Sequence, residues 1–195
     1  MKRTLMLLFF AFGLAPISFA QNDHVQAGVY ADYFRFSQTN TNFAGVGARF
    51  GFHAFKPILL EAEVSYDFNK VFTEGFTDNT TAPPTVTVVP SNLRVLHGLV
   101  GPKLELGHRN LHPFLTVKGG FNHFFLDSRP ATVGTAVSSI DNLRANDLTG
   151  VLYPGGGLEG HLGPVGLRLD VGDEIYFAGG AHHNLRLAFG PYIRF

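Results

Sequence analysis

Apolar and polar residues alternate with a period of two along most of this chain, and most strictly over residues 184–195. There Leu185, Leu187, Phe189, Pro191, Ile193 and Phe195 share one face, while Asn184, Arg186, Ala188, Gly190, Tyr192 and Arg194 share the other. Successive side chains of a strand point to opposite sides, so the pattern predicts a ribbon with one apolar face and one polar, small-residue face. Residues 60–69 repeat it, with Leu60, Ala62, Val64, Tyr66 and Phe68 set against Glu61, Glu63, Ser65, Asp67 and Asn69. Residues 43–54 and 165–172 do the same, with Gly45, Gly47, Arg49, Gly51 and His53 on one polar face and Gly166, Arg168, Asp170 and Gly172 on the other. Residues 25–36, 93–106, 113–126 and 147–161 alternate less cleanly with the same mixture. Eight strands are predicted in all.

The connections carry a second signal. Residues 55–58, 107–111 and 162–164 read as tight turns, whereas 70–92, 127–146 and 173–183 are longer and rich in Thr, Pro, Asn, Asp and Gly; residues 37–42 are short on the long-loop side. Short turns at one rim and long loops at the other are the pattern of membrane-spanning barrels. The arrangement Gly, two residues, apolar, one residue, apolar recurs at Gly47, Gly101 and Gly190, with a degraded copy at Gly155, which makes one hairpin the repeating unit. Pro102 and Pro191 fall inside this repeat. A proline removes a ladder hydrogen bond, so a bulge or weak pairing is expected beside each.

The amino-terminal segment changes the setting. Lys2 and Arg3 precede an apolar run over residues 5–14, and Ser18-Phe19-Ala20 supplies small residues at a cleavage position. Residues 1–20 therefore read as a secretory signal, too short to cross a bilayer as a helix, and residues 21–195 as one barrel domain. Without the signal, 13 basic residues face 15 acidic ones, leaving no basic excess for nucleic acid or an anionic surface. Charged residues make up 15% of the sequence, against roughly 25% in an average soluble domain. That is few for a protein whose whole outside is water. Cysteine is absent, which removes disulfides, thiolate metal sites and a Cys nucleophile.

Gly190, Ile193 and Phe195 at the end of the chain resemble the carboxy-terminal assembly signal of bacterial outer-membrane barrels. With the alternation and the loop asymmetry, the mature chain resembles the OmpA/OmpX-like family: an all-β, eight-stranded antiparallel up-and-down transmembrane β-barrel. The resemblance implies an outer-membrane location reached through the periplasm, outer-membrane lipids and lipopolysaccharide as surroundings, barrel-assembly machinery as a partner during biogenesis, and a monomer without a cofactor. Some members continue into a periplasmic peptidoglycan-binding domain; because this chain stops at Phe195, that activity is not expected to carry over.

A barrel of this kind turns its polar face inward. Arg49, Glu61, Glu63, Asp67, Lys103, Glu105, Lys118, Glu159, Arg168, Asp170, Arg186 and Arg194 would then meet in the lumen, six of each sign. Isolated charges are costly there and paired ones persist, so a salt-bridge network plugging the lumen is expected, with a small gated ion path as the alternative. The expected role is structural or one of surface interaction, with the loops offered to an extracellular ligand. A membrane-embedded hydrolase of lipid A or phospholipid is the second class, but His123 is followed by Phe124 and Phe125 where the lipid A deacylase motif has a Ser two residues on. His182 and His183 lack a third ligand at metal-binding spacing, and Gly155-Gly156-Gly157 lacks the Lys and Ser/Thr of a phosphate loop. No metal, cofactor or catalytic group is expected. The third class is a secreted lipocalin-like barrel with its apolar face turned inward.

Overall fold

The computed structural model describes residues 24–78, 82–107, 110–126, 137, 138, 140, 143 and 147–195. The expected signal peptide, residues 1–20, lies outside them. The strands are β1 (Val25–Phe36), β2 (Thr41–Phe55), β3 (Ile58–Asp78), β4 (Thr85–Glu105), β5 (Leu111–Leu126), β6 (Val137–Ser138), β7 (Leu148–Leu162), β8 (Val165–Phe177) and β9 (Ala181–Arg194). Apart from the two-residue β6, each pairs antiparallel with its neighbours in sequence, and β1 also pairs with β9. The ring therefore closes with eight strands. At the seam Val25 N donates to Phe195 O (2.9 Å) and Phe195 N donates to Val25 O (3.0 Å), bringing the two ends of the barrel together at the narrow-turn rim.

Inward and outward sides follow the sequence alternation. Along β2, Arg49 is buried while Phe50 and Phe52 are exposed; along β3, Glu61, Glu63, Ser65 and Asp67 are buried while Val64 and Phe68 stand outside. Val29, Phe50, Val64, Val100, Val117, Leu167 and Phe189, each at least half exposed, belong to an apolar belt around the outside. This polarity is the reverse of a soluble barrel, in which the apolar face is hidden.

The turn rim is as expected, and the opposite rim is not. Lys56-Pro57 and Gly163-Pro164 join β2 to β3 and β7 to β8, with Gly163 at φ 63°. Of residues 70–92, expected to be a loop, 70–78 and 85–92 instead extend β3 and β4 into a hairpin that continues to the Asp78↔Thr85 pair after a register shift between Asp67 and Lys70. Its Thr and Val residues are β-branched, and on a paired, pleated surface that preference outweighs the turn-like composition. Residues 173–183 are likewise mostly strand: β8 and β9 pair up to Phe177↔Ala181, leaving a turn of residues 178–180 with Gly179 at φ 72°. The remaining long connection, between β5 and β7, sends β6 to pair with β3 at Phe76 and Thr77 and buries Ile140 and Leu143 completely.

Pro102 and Pro191 weaken pairing without a bulge. The β4–β5 ladder stops at Val100↔Gly119 and resumes at Lys103↔Thr116 in the same register, and β1–β9 skips between Gly28↔Tyr192 and Ala31↔Phe189. β7–β8 does the same beside Pro154, between Leu152↔Ile175 and Gly155↔Gly172. The glycine beside each of the first two prolines lets the next strand come close. A Cβ on Gly101 would overlap the Val117 carbonyl oxygen, and one on Gly190 would overlap the Val29 carbonyl oxygen. Inside the barrel, glycines also face aromatic rings on the directly opposed rung, Gly47 under Tyr30 and Gly166 under Tyr192. These pairs fill the lumen wall without crowding it.

Gly190→Ala should therefore destabilise the barrel by about 1–3 kcal/mol, the usual cost of overpacking. Gly150→Ala, where an added Cβ meets nothing within 4 Å, should be near neutral. Urea titration of refolded protein in detergent checks the contrast.

Candidate functional site

The barrel interior has two zones. Toward the projecting hairpin, Phe34, Phe36, Phe43, Leu93, Val95, Phe124 and Tyr176 pack together, and Ile140 and Leu143 from the β5–β7 connection join them. Phe36 stacks on Tyr176 at 5.8 Å between ring centroids. Charged residues fill the space from there to the turn rim. His97 links the zones: its ring meets Phe34 edge-on at 4.9 Å and its two nitrogens face carboxylates.

The ion pairs follow from the alternation, because each inward position on one strand meets those of strands across a narrow lumen. Arg168 on β8 donates two hydrogen bonds to Glu61 on β3 (2.5 and 3.0 Å) and one to its neighbour Asp170 (2.6 Å), and lies 3.2 Å from Glu159 on β7. Lys118 on β5 bridges Glu61 and Glu63 at 2.7 Å each. Arg186 on β9 donates to Asp32 (2.7 Å), Glu63 (3.1 Å), Glu174 (3.1 Å), Ser65 (2.8 Å) and the Tyr30 hydroxyl (3.2 Å). Nearer the turn rim, Lys103 joins Glu159 (2.5 Å), Glu105 (3.0 Å) and Gln26 (2.9 Å), while His53 on β2 lies 3.3 Å from Glu105. The bonds thus tie together inward side chains from all eight barrel strands.

His97 has Nδ1 2.8 Å from Glu174 and Nε2 3.0 Å from Asp67. With both carboxylates ionised they only accept, and each ring nitrogen then donates to one of them. Burial without partners would make these charges prohibitive; charge-assisted hydrogen bonds to several partners each offset the desolvation.

Of the residues expected to meet in the lumen, Glu61, Glu63, Asp67, Lys103, Glu105, Lys118, Glu159, Arg168, Asp170 and Arg186 take part in these contacts. Arg49 differs. Its guanidinium lies 3.6 Å from Asp170 and 4.2 Å over the Tyr30 ring, and its two terminal nitrogens form no hydrogen bond. Arg194 is half-buried at the turn-side mouth. Sequence reasoning missed Asp32, Glu174 and the bridging role of His97 between Glu174 and Asp67. Asp32 shares the parity of Tyr30 and Phe34 and was legible; Glu174 fell in a segment read as loop. Of the assembly triad, Gly190 is buried against β1, while Ile193 points outward.

No protein-family model matches the chain, and no curated protein matches it in sequence. Among solved structures it is similar to Neisserial surface protein A at 12% identity and a TM-score of 0.55, covering 88% of this chain and 96% of that one. It is similar to Ail, the attachment invasion locus protein of Yersinia pestis, in complex with the heparin analogue sucrose octasulfate, at 11% identity and TM-score 0.50, with 88% and 97% covered. The N-terminal β-barrel domain of Pseudomonas aeruginosa OprF gives 12%, 0.50, 87% and 97%. The likeness is one of fold. The chain has the eight-stranded architecture of outer-membrane β-barrels, as its resemblance to the OmpA/OmpX-like family implied.

Removing Arg186 leaves three buried carboxylates short of a partner, so Arg186→Met should cost about 3–5 kcal/mol, the scale for breaking a buried pair. Arg49→Met loses mainly a cation–π contact of about 0.5–2 kcal/mol. Equal losses in equilibrium refolding would mean that the hydrogen bonds of the network do not hold the barrel together.

Proposed function

We propose that this protein is an integral outer-membrane barrel with a structural or surface-interaction role, its lumen plugged rather than conducting. The observation that carries this reading is the pairing of an apolar outer belt with an interior closed twice, by the Arg168–Glu61 and Arg186–Asp32 network and by the Phe34–Phe36–Tyr176 cluster beyond it. Hydrocarbon satisfies no backbone hydrogen bond, and a closed ring of strands with apolar side chains outside meets that demand. The rim bearing the short turns and both ends of the barrel faces the periplasm; the β3–β4 hairpin and the β5–β7 connection face outward, where an extracellular ligand would be met. Phospholipid and lipopolysaccharide surround a monomer, and the assembly machinery reads Gly190, Ile193 and Phe195 during biogenesis.

Catalysis has no part in the proposal. The pairs His183–Asp173 (2.5 Å) and His123–Asp147 (3.9 Å) have no hydroxyl hydrogen-bonded to them among the described residues, so neither has an activated nucleophile.

The protein should sediment with outer membranes, resist carbonate, migrate faster unboiled than boiled, and give negligible conductance in planar bilayers; recovery in the soluble periplasm contradicts the location, and steady single-channel steps contradict the plug. Val64→Lys, on the exposed face, should lower insertion stability by about 2–4 kcal/mol near the midplane. Phe195→Asp should reduce assembled barrel in cells while leaving refolding of purified protein into detergent largely intact, which separates a recognition role from a stability role.

A further inference from the structure

The turn-side mouth contains a concavity that the plug does not use. A pocket of about 470 Å³ opens between the β2–β3 turn, the end of β4, the start of β5 and the end of β9. Its charged and titratable walls are His53, Lys56, Glu105, His112 and Arg194. Glu105 is its carboxylate, and that group already accepts from Lys103 (3.0 Å), Gln26 (2.9 Å) and His53 (3.3 Å). Lys56 is exposed in the turn and forms no ion pair among the described residues. His112 stacks on His161 at 5.2 Å, which holds its ring at the pocket wall. The Phe195 carbonyl oxygen, next to Arg194 in the chain, accepts from Val25 N at the seam. The lining thus carries two permanent cations, Lys56 and Arg194, against one carboxylate, whose charge is already met by Lys103.

Its surroundings indicate where an anion would come from. Lys56 directly follows Phe55, 64% exposed at the turn, and His112 directly follows Leu111, 57% exposed on the outward row of β5. At this rim a molecule with acyl chains and an anionic head finds apolar wall and cationic recess within one residue of each other.

We propose that this recess binds a phosphate-class anion, with the headgroup of an inner-leaflet phospholipid as its source. Lys56 and Arg194 supply permanent charge, while His53 and His112 line the recess with imidazole nitrogens. Phosphate is the anion that such a combination of ammonium, guanidinium and imidazole donors suits. The lipid would hold the turn rim at the membrane surface.

The inference rests on the orientation proposed above, and the test separates the two. Native mass spectrometry of the full barrel in neutral detergent, titrated with phosphatidylglycerol, should show saturable retention of one lipid, weakened at least tenfold by Lys56→Glu and several-fold by His112→Gln, with both variants still heat-modifiable. Competition by inorganic phosphate at millimolar concentration supports the anion site; saturable phosphate binding with no preference for the lipid keeps the site and makes free phosphate its source. Absence of saturable binding, or equal retention by wild type and both variants, overturns the proposal. Orientation is read independently with Lys56→Cys, the sole thiol in a chain without cysteine. Labelling by an impermeant maleimide only after the outer membrane is opened supports the inner-leaflet source. Labelling of intact cells overturns that source and the orientation together, while leaving anion binding by the purified barrel standing.

Discussion

Every backbone N–H and C=O in a hydrocarbon slab needs a partner from the protein itself, and this requirement shapes the rest of the molecule. Strands meet it only when the sheet has no free edge, so β1 must find β9 and the first and last residues of the ring must meet, as Val25 and Phe195 do. Closure with eight strands leaves an interior only wide enough for side chains. Once the apolar row of each strand is committed to lipid, the alternating row has nowhere to go but inward. Arg168, Arg186, Lys103 and Lys118 are therefore confined with carboxylates from strands across the lumen.

Confinement makes the ionic network and the ladder interdependent. Prolines 102, 154 and 191 each coincide with skipped rungs, so the wall is thinly hydrogen-bonded at three seams. Arg168 to Glu61 and Arg186 to Glu63 join strands that do not pair in the ladder, and tie staves of the barrel across its interior. Beyond this layer the interior becomes apolar, and Ile140 and Leu143 close it from the β5–β7 connection. A water column would have to displace two fillings of opposite character, one held by charge and the other by exclusion of water.

The fold was legible because a period of two carries face information residue by residue: strands over 43–54, 60–69, 165–172 and 184–195 point as their alternation implies. Loop composition was a poorer guide. The Thr- and Val-bearing residues 70–78 and 85–92 and most of the polar run 173–183 have the composition of connections, yet pairing makes them strand, and Glu174 in the second joins the lumen unannounced. The apolar filling was not legible either, since Phe34, Phe36 and Phe43 differ in type from the inward residues around them, and Ile140 and Leu143 reach the interior through a connection without periodicity. Which cation meets which carboxylate depends on register and stagger around the ring, quantities that the pattern within one strand does not contain.

The absence of tryptophan from the chain permits a direct measurement of which side faces lipid. Single tryptophans placed at Phe50, Phe189 and Phe34 can be compared for quenching by brominated phospholipid after reconstitution. The account predicts strong quenching at positions 50 and 189, which stand on the exposed apolar face, and little at 34, which is buried inside. Strong quenching at 34 with protection at 50 and 189 would mean that the faces are inverted and the barrel does not sit in a membrane in this way.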